Sequence, residues 1–219
     1  MQVISDPDAV RTVLHDPAFA VPPVPPASSG LAWLRATVGR FCSGEAHERR
    51  RSLSVAVLSS IPLEVLRAPY DGEPVAALAR ATGAPDGVAP LVAEVAAAYQ
   101  PGTGDEGLAD VAVDRLVALL GGYDEPTAAR IGVLVQACEP TAALADRARH
   151  RAVDDVLRDD PPVPATRRQA LVTRTVDDVT VAAGEVVRVA LAGDLAFGAG
   201  PRRCPGRDHA LALVEGATA

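Results

Sequence analysis

Residues 197–206 read Phe-Gly-Ala-Gly-Pro-Arg-Arg-Cys-Pro-Gly, and the reading of this stretch decides the fold. Gly198 and Gly200 allow a sharp turn and a backbone that can approach a flat ligand without a Cβ in the way. Cys204 supplies a sulfur. Pro205 follows it, and an apolar-periodic run (Ala210, Leu211, Leu213, Val214) begins soon after. Proline suits the first turn of a helix, so the spacing predicts Cys204 at a helix N-terminus. There, free N–H groups and the helix dipole favour thiolate over thiol. Arg202 adds a cation able to pair with a ligand carboxylate. A glycine-rich turn around a buried structural cysteine is the plainer alternative, but it leaves the arginine and the glycine spacing unexplained.

Composition frames the rest. The chain has 219 residues, is 48% hydrophobic and carries a formal net charge of −7. Aromatics make up only 3%, while small aliphatic residues abound, which favours helices packed through Ala, Val and Leu. All 21 basic residues are Arg, and the acidic balance argues against a nucleic-acid partner. Three cysteines, at 42, 138 and 204, do not make a disulfide framework in a chain this long. The N-terminus lacks the charged and apolar regions of a signal peptide, and no run reaches the length of a membrane span. A cytoplasmic protein without membrane contact is expected.

Periodicity predicts helices over 6–14, 30–41, 43–58, 74–83, 87–99, 107–120 and 125–145, the last interrupted by Pro140. A charged helix is expected over 146–158, and a Pro- and Ser-rich loop over 21–29. Between 170 and 192 the pattern changes to short strands, with a hairpin around Ala183-Gly184. The fold class is therefore mainly α with a small β part, in one domain over 1–219.

The segment 197–206 resembles the cysteine-ligand loop of cytochrome P450, Phe-Gly-x-Gly-x-(His/Arg)-x-Cys-x-Gly. Phe197, Gly198, Gly200, Arg202, Cys204 and Gly206 fill every specified position. Other stretches resemble the family too. His47 and Arg51, four apart and so on one helix face, match its His-x-x-x-Arg, which holds a haem propionate. Residues 131–143 resemble its I helix, with Ala137 and Thr141 in place. Cys138 stands where a glycine is usual and Pro140 where an acid is usual, with Glu139 one residue early. Asp155 and Arg158 sit where the family has Glu-x-x-Arg, and equally suit a local i,i+3 ion pair. Arg168, rather than Arg167, matches a further propionate-binding arginine.

The resemblance implies a reduced P450-like fold, shortened around its haem cradle and without the family's first helix and first sheet. It implies iron protoporphyrin IX (haem b) ligated by Cys204, with His47, Arg51, Arg168, Phe197, Gly198, Arg202 and Gly206 around it. Thr141 and Glu139 are the implied catalytic pair. The implied activity is oxidation of a small, secondary metabolite. Two alternatives stand beside it: redox-neutral or peroxide-dependent chemistry on the same haem, and a non-catalytic P450-like partner protein. A basic face of Arg49, Arg50, Arg203 and Arg207 would suit a ferredoxin-type redox partner, and the shortened architecture points to a homodimer. A zinc site built from Cys42/His47 and Cys204/His209 is a remote further reading. Trp33 and Leu34 suit either a ligand pocket or the core.

Overall fold

The computed structural model describes all residues, 1–219. The chain begins with β1 (Val3–Ile4), α1 (Pro7–His15), β2 (Phe19–Ala20), α2 (Gly30–Thr37) and α3 (Gly44–Ser59), with a 3₁₀ turn at Gly39–Phe41. It continues through α4 (Leu63–Arg67), α5 (Pro74–Ala81), α6 (Val88–Tyr99), α7 (Glu106–Leu120) and α8 (Glu125–Ala148). Then come α9 (Val153–Asp159), β3 (Ala165–Ala170), β4 (Arg174–Val176), β5 (Val179–Val181), β6 (Val186–Ala190) and α10 (Arg207–Thr218). Two more 3₁₀ turns, Gly193–Leu195 and Gly200–Arg202, lie between β6 and α10.

Side-chain caps fix several helix starts. The Asp6 carboxylate accepts the N–H groups of Asp8 and Ala9, both at 3.0 Å, with Pro7 in the first turn of α1. Asp105 caps α7 in the same way through Gly107 and Leu108, and Asp124 caps α8 through Thr127.

The chain divides into two compact units, each with its own apolar cluster. The larger, Val24–Arg149 with Pro205–Ala219, is all-helical. Its centre is α8, which packs against α3, α5, α6, α7 and α10. Ile131, Leu134 and Val135 of α8 meet Leu31, Leu34, Val92, Leu116 and Leu213 in the core. Trp33 and Leu34 are core residues, with Trp33 edge-on to Tyr123 at 4.7 Å. A buried guanidinium braces this core. Arg35 donates to the carbonyls of Ala98 and Tyr99 at the end of α6 and, at 2.8 Å, to Glu106 at the start of α7. One side chain thus satisfies two terminal carbonyls that their own helix leaves open.

A second tie joins α3 to the start of α8. Arg49 holds both oxygens of Glu125 at 2.8 Å, and Arg50 Nε holds the same carboxylate at 2.8 Å. These hydrogen bonds, that from Arg49 foremost, bring the Glu125 carboxyl down from 4.5 to about 2. A depressed acid stabilises the fold above its unfolded pKa and loses that contribution as pH falls through the folded value. Acid titration followed by circular dichroism should therefore lose about 1 kcal/mol between pH 4.5 and 2 from this group, a figure reduced for solvent exposure. Glu125→Gln should flatten that part of the curve.

The smaller unit, Met1–Pro23 with His150–Cys204, holds a four-stranded sheet in the order β1-β6-β3-β2. β3 pairs antiparallel with β6 and with β2, while β1 joins β6 in parallel. Ile4, Ala170, Val187 and Val189 turn inward and pack with Val10, Val13 and Leu14 of α1.

Several expectations are corrected. The opening residues do carry a strand, because Val3–Ile4 pair with Arg188 and Val189. The tight hairpin is β4–β5, turning at Asp177 (φ +54°) and Asp178, whereas Gly184 (φ +83°) turns β5 toward β6. Helix α8 runs through Pro140 to Ala148, with α3, α5, α6, α7 and α10 packed along its length. The charged stretch 146–158 is not one helix: α8 ends, extended backbone at Ala152 intervenes, and α9 begins. Helix α4, only five residues long, gives no readable period.

Candidate functional site

The cysteine loop belongs to the smaller unit up to Cys204. The Cys204 N–H donates to the Phe197 carbonyl at 2.8 Å, closing 197–204 into a ring of backbone. Gly198 N–H donates back to Leu195 O, just before the ring, at 2.8 Å, and within the ring Arg203 N–H donates to Gly200 O at 3.1 Å. Cys204 is exposed, which sets aside the buried structural cysteine. Phe197 and Arg202 are half-buried. The helix starts slightly later than expected: Gly206 is the N-cap of α10, so Cys204 lies two residues before the cap.

The glycines of the loop divide by role. Gly200 (φ +65°) lies against the end of α1, where a Cβ would fall 2.7 Å from Leu14 O. Its small size serves packing on α1 rather than approach to a ligand. Gly198 (φ +72°) is required by backbone conformation alone, since a Cβ there would have 3.9 Å of clearance. Gly206 has an ordinary φ of −96°, and a Cβ would only touch the Leu58 methyls at 3.7 Å. Nothing in the chain itself demands glycine at 206. Gly200→Ala should therefore destabilise the protein by about 2 kcal/mol or more through positive φ and overlap with Leu14 O, seen as a lower melting temperature.

Arg168 is buried on β3, and its Nη1 donates to Thr166 Oγ1 (3.0 Å) and to the Arg167 carbonyl (2.9 Å). Arg167 points to solvent. Asp155 and Arg158 form the local ion pair, with Arg158 also reaching Asp159 at 3.1 Å.

In the larger unit, His47 is buried and Arg51 half-buried, one turn apart on α3. Gly39 lets the preceding 3₁₀ turn lie close on Arg51, since a Cβ there would be 3.4 Å from its backbone nitrogen. Arg49 and Arg50 are committed to Glu125, which takes them out of the expected basic face. Arg207 pairs with Asp208 at 3.1 Å.

Thr141 is buried on α8, while Glu139 is exposed. Two residues apart on a helix point to opposite sides, so these two do not share a face. Cys138 is the buried neighbour on Thr141's side, and burial pushes its thiol up to about 11. Thr12, Ser52, Ser54 and Thr218 each give their hydroxyl to the carbonyl four residues back, and Thr141 does not. Pro140 has no N–H, so the Gln136 carbonyl lacks its helical donor. Mid-helix, α8 thus offers a hydroxyl not bonded back to its own helix and a carbonyl without its regular donor.

Sequence reasoning passed over His209 except as a zinc ligand. Its Nε2 donates to the Leu58 carbonyl at 2.8 Å and ties the first turn of α10 to the last of α3. No group of three or more His, Cys, Asp or Glu side chains is arranged to hold a metal ion, so the Cys/His zinc arrangement does not form. No helix is long and apolar enough to cross a membrane.

No family model matches the sequence, and no curated protein does. Solved structures do match in fold. P450BioI, solved with an acyl carrier protein ligated to hexadec-9Z-enoic acid, superposes with a TM-score of 0.70 at 16% identity. That alignment spans 99% of this chain and 83% of the other. The cytochrome P450 TxtC, which hydroxylates thaxtomin, gives 0.67 at 16% over 99% and 83%. Mycobacterium smegmatis CYP164A2 gives 0.65 at 21% over 99% and 81%. The chain thus has a shortened cytochrome P450 fold, mainly helical with a small β part.

The residues of the cysteine loop fit a haem: a soft sulfur donor is exposed at the end of a closed backbone ring, and Arg168 of the same unit is a buried guanidinium.

Proposed function

We propose that this chain is a haem-thiolate enzyme of P450 type, a single haem domain acting on a small secondary metabolite. The carrying observation is the 197–204 ring that presents an exposed Cys204 thiol on a P450 fold. Cys204 Sγ would hold the haem iron. His47, Arg51, Arg168 and Arg202 would meet the two propionates through charge-assisted bonds. Phe197 and Gly198 would shape the loop that holds it, and Gly206 would leave room. Bound there, the group supplies an electron-rich iron suited to oxidising a substrate carbon.

The chain's own part in the chemistry centres on α8. Thr141 Oγ1 is free of its own helix and can hold or pass a proton, with the Gln136 carbonyl as a second acceptor one turn back. Glu139 faces away and is left to solvent. That arrangement favours a second reading within the same enzyme class: a redox-neutral or peroxide-dependent step. Cys138 and Pro140 replace the glycine and the acid that the family's oxygen-using members carry beside the threonine. A ferredoxin-type partner belongs to the first reading only. A non-catalytic partner role is the least supported, because a scaffold gains nothing from an exposed thiol held in this ring. A homodimer and a cytoplasmic location complete the proposal.

Gly206→Ala tests the cradle separately from the fold. The variant should melt within about 0.5 kcal/mol of the parent without haem, as an unstrained surface substitution does. Haem titrated into it should bind at least tenfold more weakly. Equal haem affinity in the two proteins would remove Gly206 from the site.

A further inference from the structure

The solvent face of the four-stranded sheet carries a feature that the haem reading does not use. Arg167 on β3 and Arg188 on β6 are directly paired in the antiparallel register. Paired residues point to the same side with Cβ atoms about 5 Å apart, and like charges so placed repel. Both side chains are exposed. Neither has a carboxylate in ion-pair reach, whereas Arg11, Arg151, Arg158 and Arg174 of the same unit each have one.

The surroundings sharpen the contrast. Val3, 56% exposed, pairs with Arg188 on its other side. The adjacent rows are Ala165 with Ala190, and Ala20 with Gln169 and Val186. No acidic residue stands at any of these positions. Glu185, just before β6, turns its carboxylate to the Ala182 N–H at 3.1 Å. A chain of net charge −7 therefore keeps one bare, doubly basic strip edged by Ala and Val side chains and a single Gln.

We propose that this outer sheet face, centred on Arg167 and Arg188, docks a protein partner that presents a carboxylate-rich surface. Two neighbouring guanidinium groups suit carboxylates, and the largely apolar margin suits a protein surface rather than a solvated small ion. Docking would also relieve the repulsion that the register builds in. The inference stands apart from the haem reading, because its readout is binding and needs no haem.

The test uses the full chain and poly-L-glutamate as the probe, with fluorescence anisotropy at low and at 0.5 M salt. Binding should be measurable at low salt and fall at least tenfold at high salt. The double variant Arg167→Thr/Arg188→Thr should lose at least tenfold in affinity while melting no lower than the parent, since it removes like charges. A control with Arg203→Ser/Arg207→Ser should bind as the parent does. Absent binding by the parent, or undiminished binding by the Arg167/Arg188 variant, would overturn the proposal. So would duplex DNA binding the same face tenfold more tightly than poly-L-glutamate, which would make it a phosphate site.

Discussion

Cys204→Ser, reconstituted with haem, reduced and exposed to carbon monoxide, should lack the red-shifted Soret band that marks thiolate ligation. The parent chain should show it. The argument rests on connectivity as much as on the sulfur. The Cys204 N–H is fixed to Phe197 O at 2.8 Å, so position 204 keeps its place when the side chain changes. The substitution alters one exposed atom and leaves the ring intact. A serine hydroxyl is a hard, weakly acidic donor and a poor substitute for a thiolate. Stability without haem should hardly move, which separates loss of ligation from loss of fold. The same thiolate-type spectrum in the variant would mean that another group ligates the iron, and the functional assignment would fail with it.

Arg35→Ala should be the most damaging substitution away from the site. The Arg35 side chain is 9% exposed and holds three partners: two carbonyls at the end of α6 and the Glu106 carboxylate. Truncation orphans both carbonyls in the interior, unpairs Glu106 and opens a cavity beside the α2–α6–α7 junction. Loss of one partner from such a network costs about 3–5 kcal/mol. For a chain of this size that is roughly 10 °C in melting temperature. Arg35→Lys should recover only part of it, because a lone ammonium cannot span all three acceptors as a planar fork does. A shift of under about 2 °C in Arg35→Ala would show that α6 and α7 hold together without the bridge.

The helices were legible where a period had room to repeat. Residues 107–120 and 125–145 show their buried faces in the sequence, and Asp6 and Gly83 punctuate α1 and α5 as turn chemistry requires. The five-residue α4 and the two-residue strands β1 and β2 were not, since nothing so short repeats. Strand pairing was hidden for another reason: β6 chooses β3 and β1 as neighbours through contacts distant in sequence, so Ala183-Gly184 looked like the hairpin and Asp177-Asp178 did not. In the site, burial separated the candidates that composition could not. Arg168 is inside and Arg167 outside, a difference that was legible only from the resemblance. Arg49 and Arg50 read as a basic surface because their acid, Glu125, lies 75 or more residues away. Glu139 looked like a neighbour of Thr141 in one dimension and lies across the helix from it in three.

The order of chain segments bears on how the protein is made. Val3–Ile4 find their partners only at Arg188–Val189, and α10 joins the larger unit only after the whole second segment of the smaller one, His150–Cys204, has intervened. The smaller unit therefore waits for β6 and the larger for α10. During vectorial synthesis, the amphipathic helices α2 to α8 must stay soluble, or be shielded, until α10 leaves the ribosome. High-separation closures of this kind slow folding and lengthen exposure of apolar surface. A nascent chain stalled before residue 186 should thus be protease-sensitive in both units and dependent on chaperones, whereas the released chain should be compact.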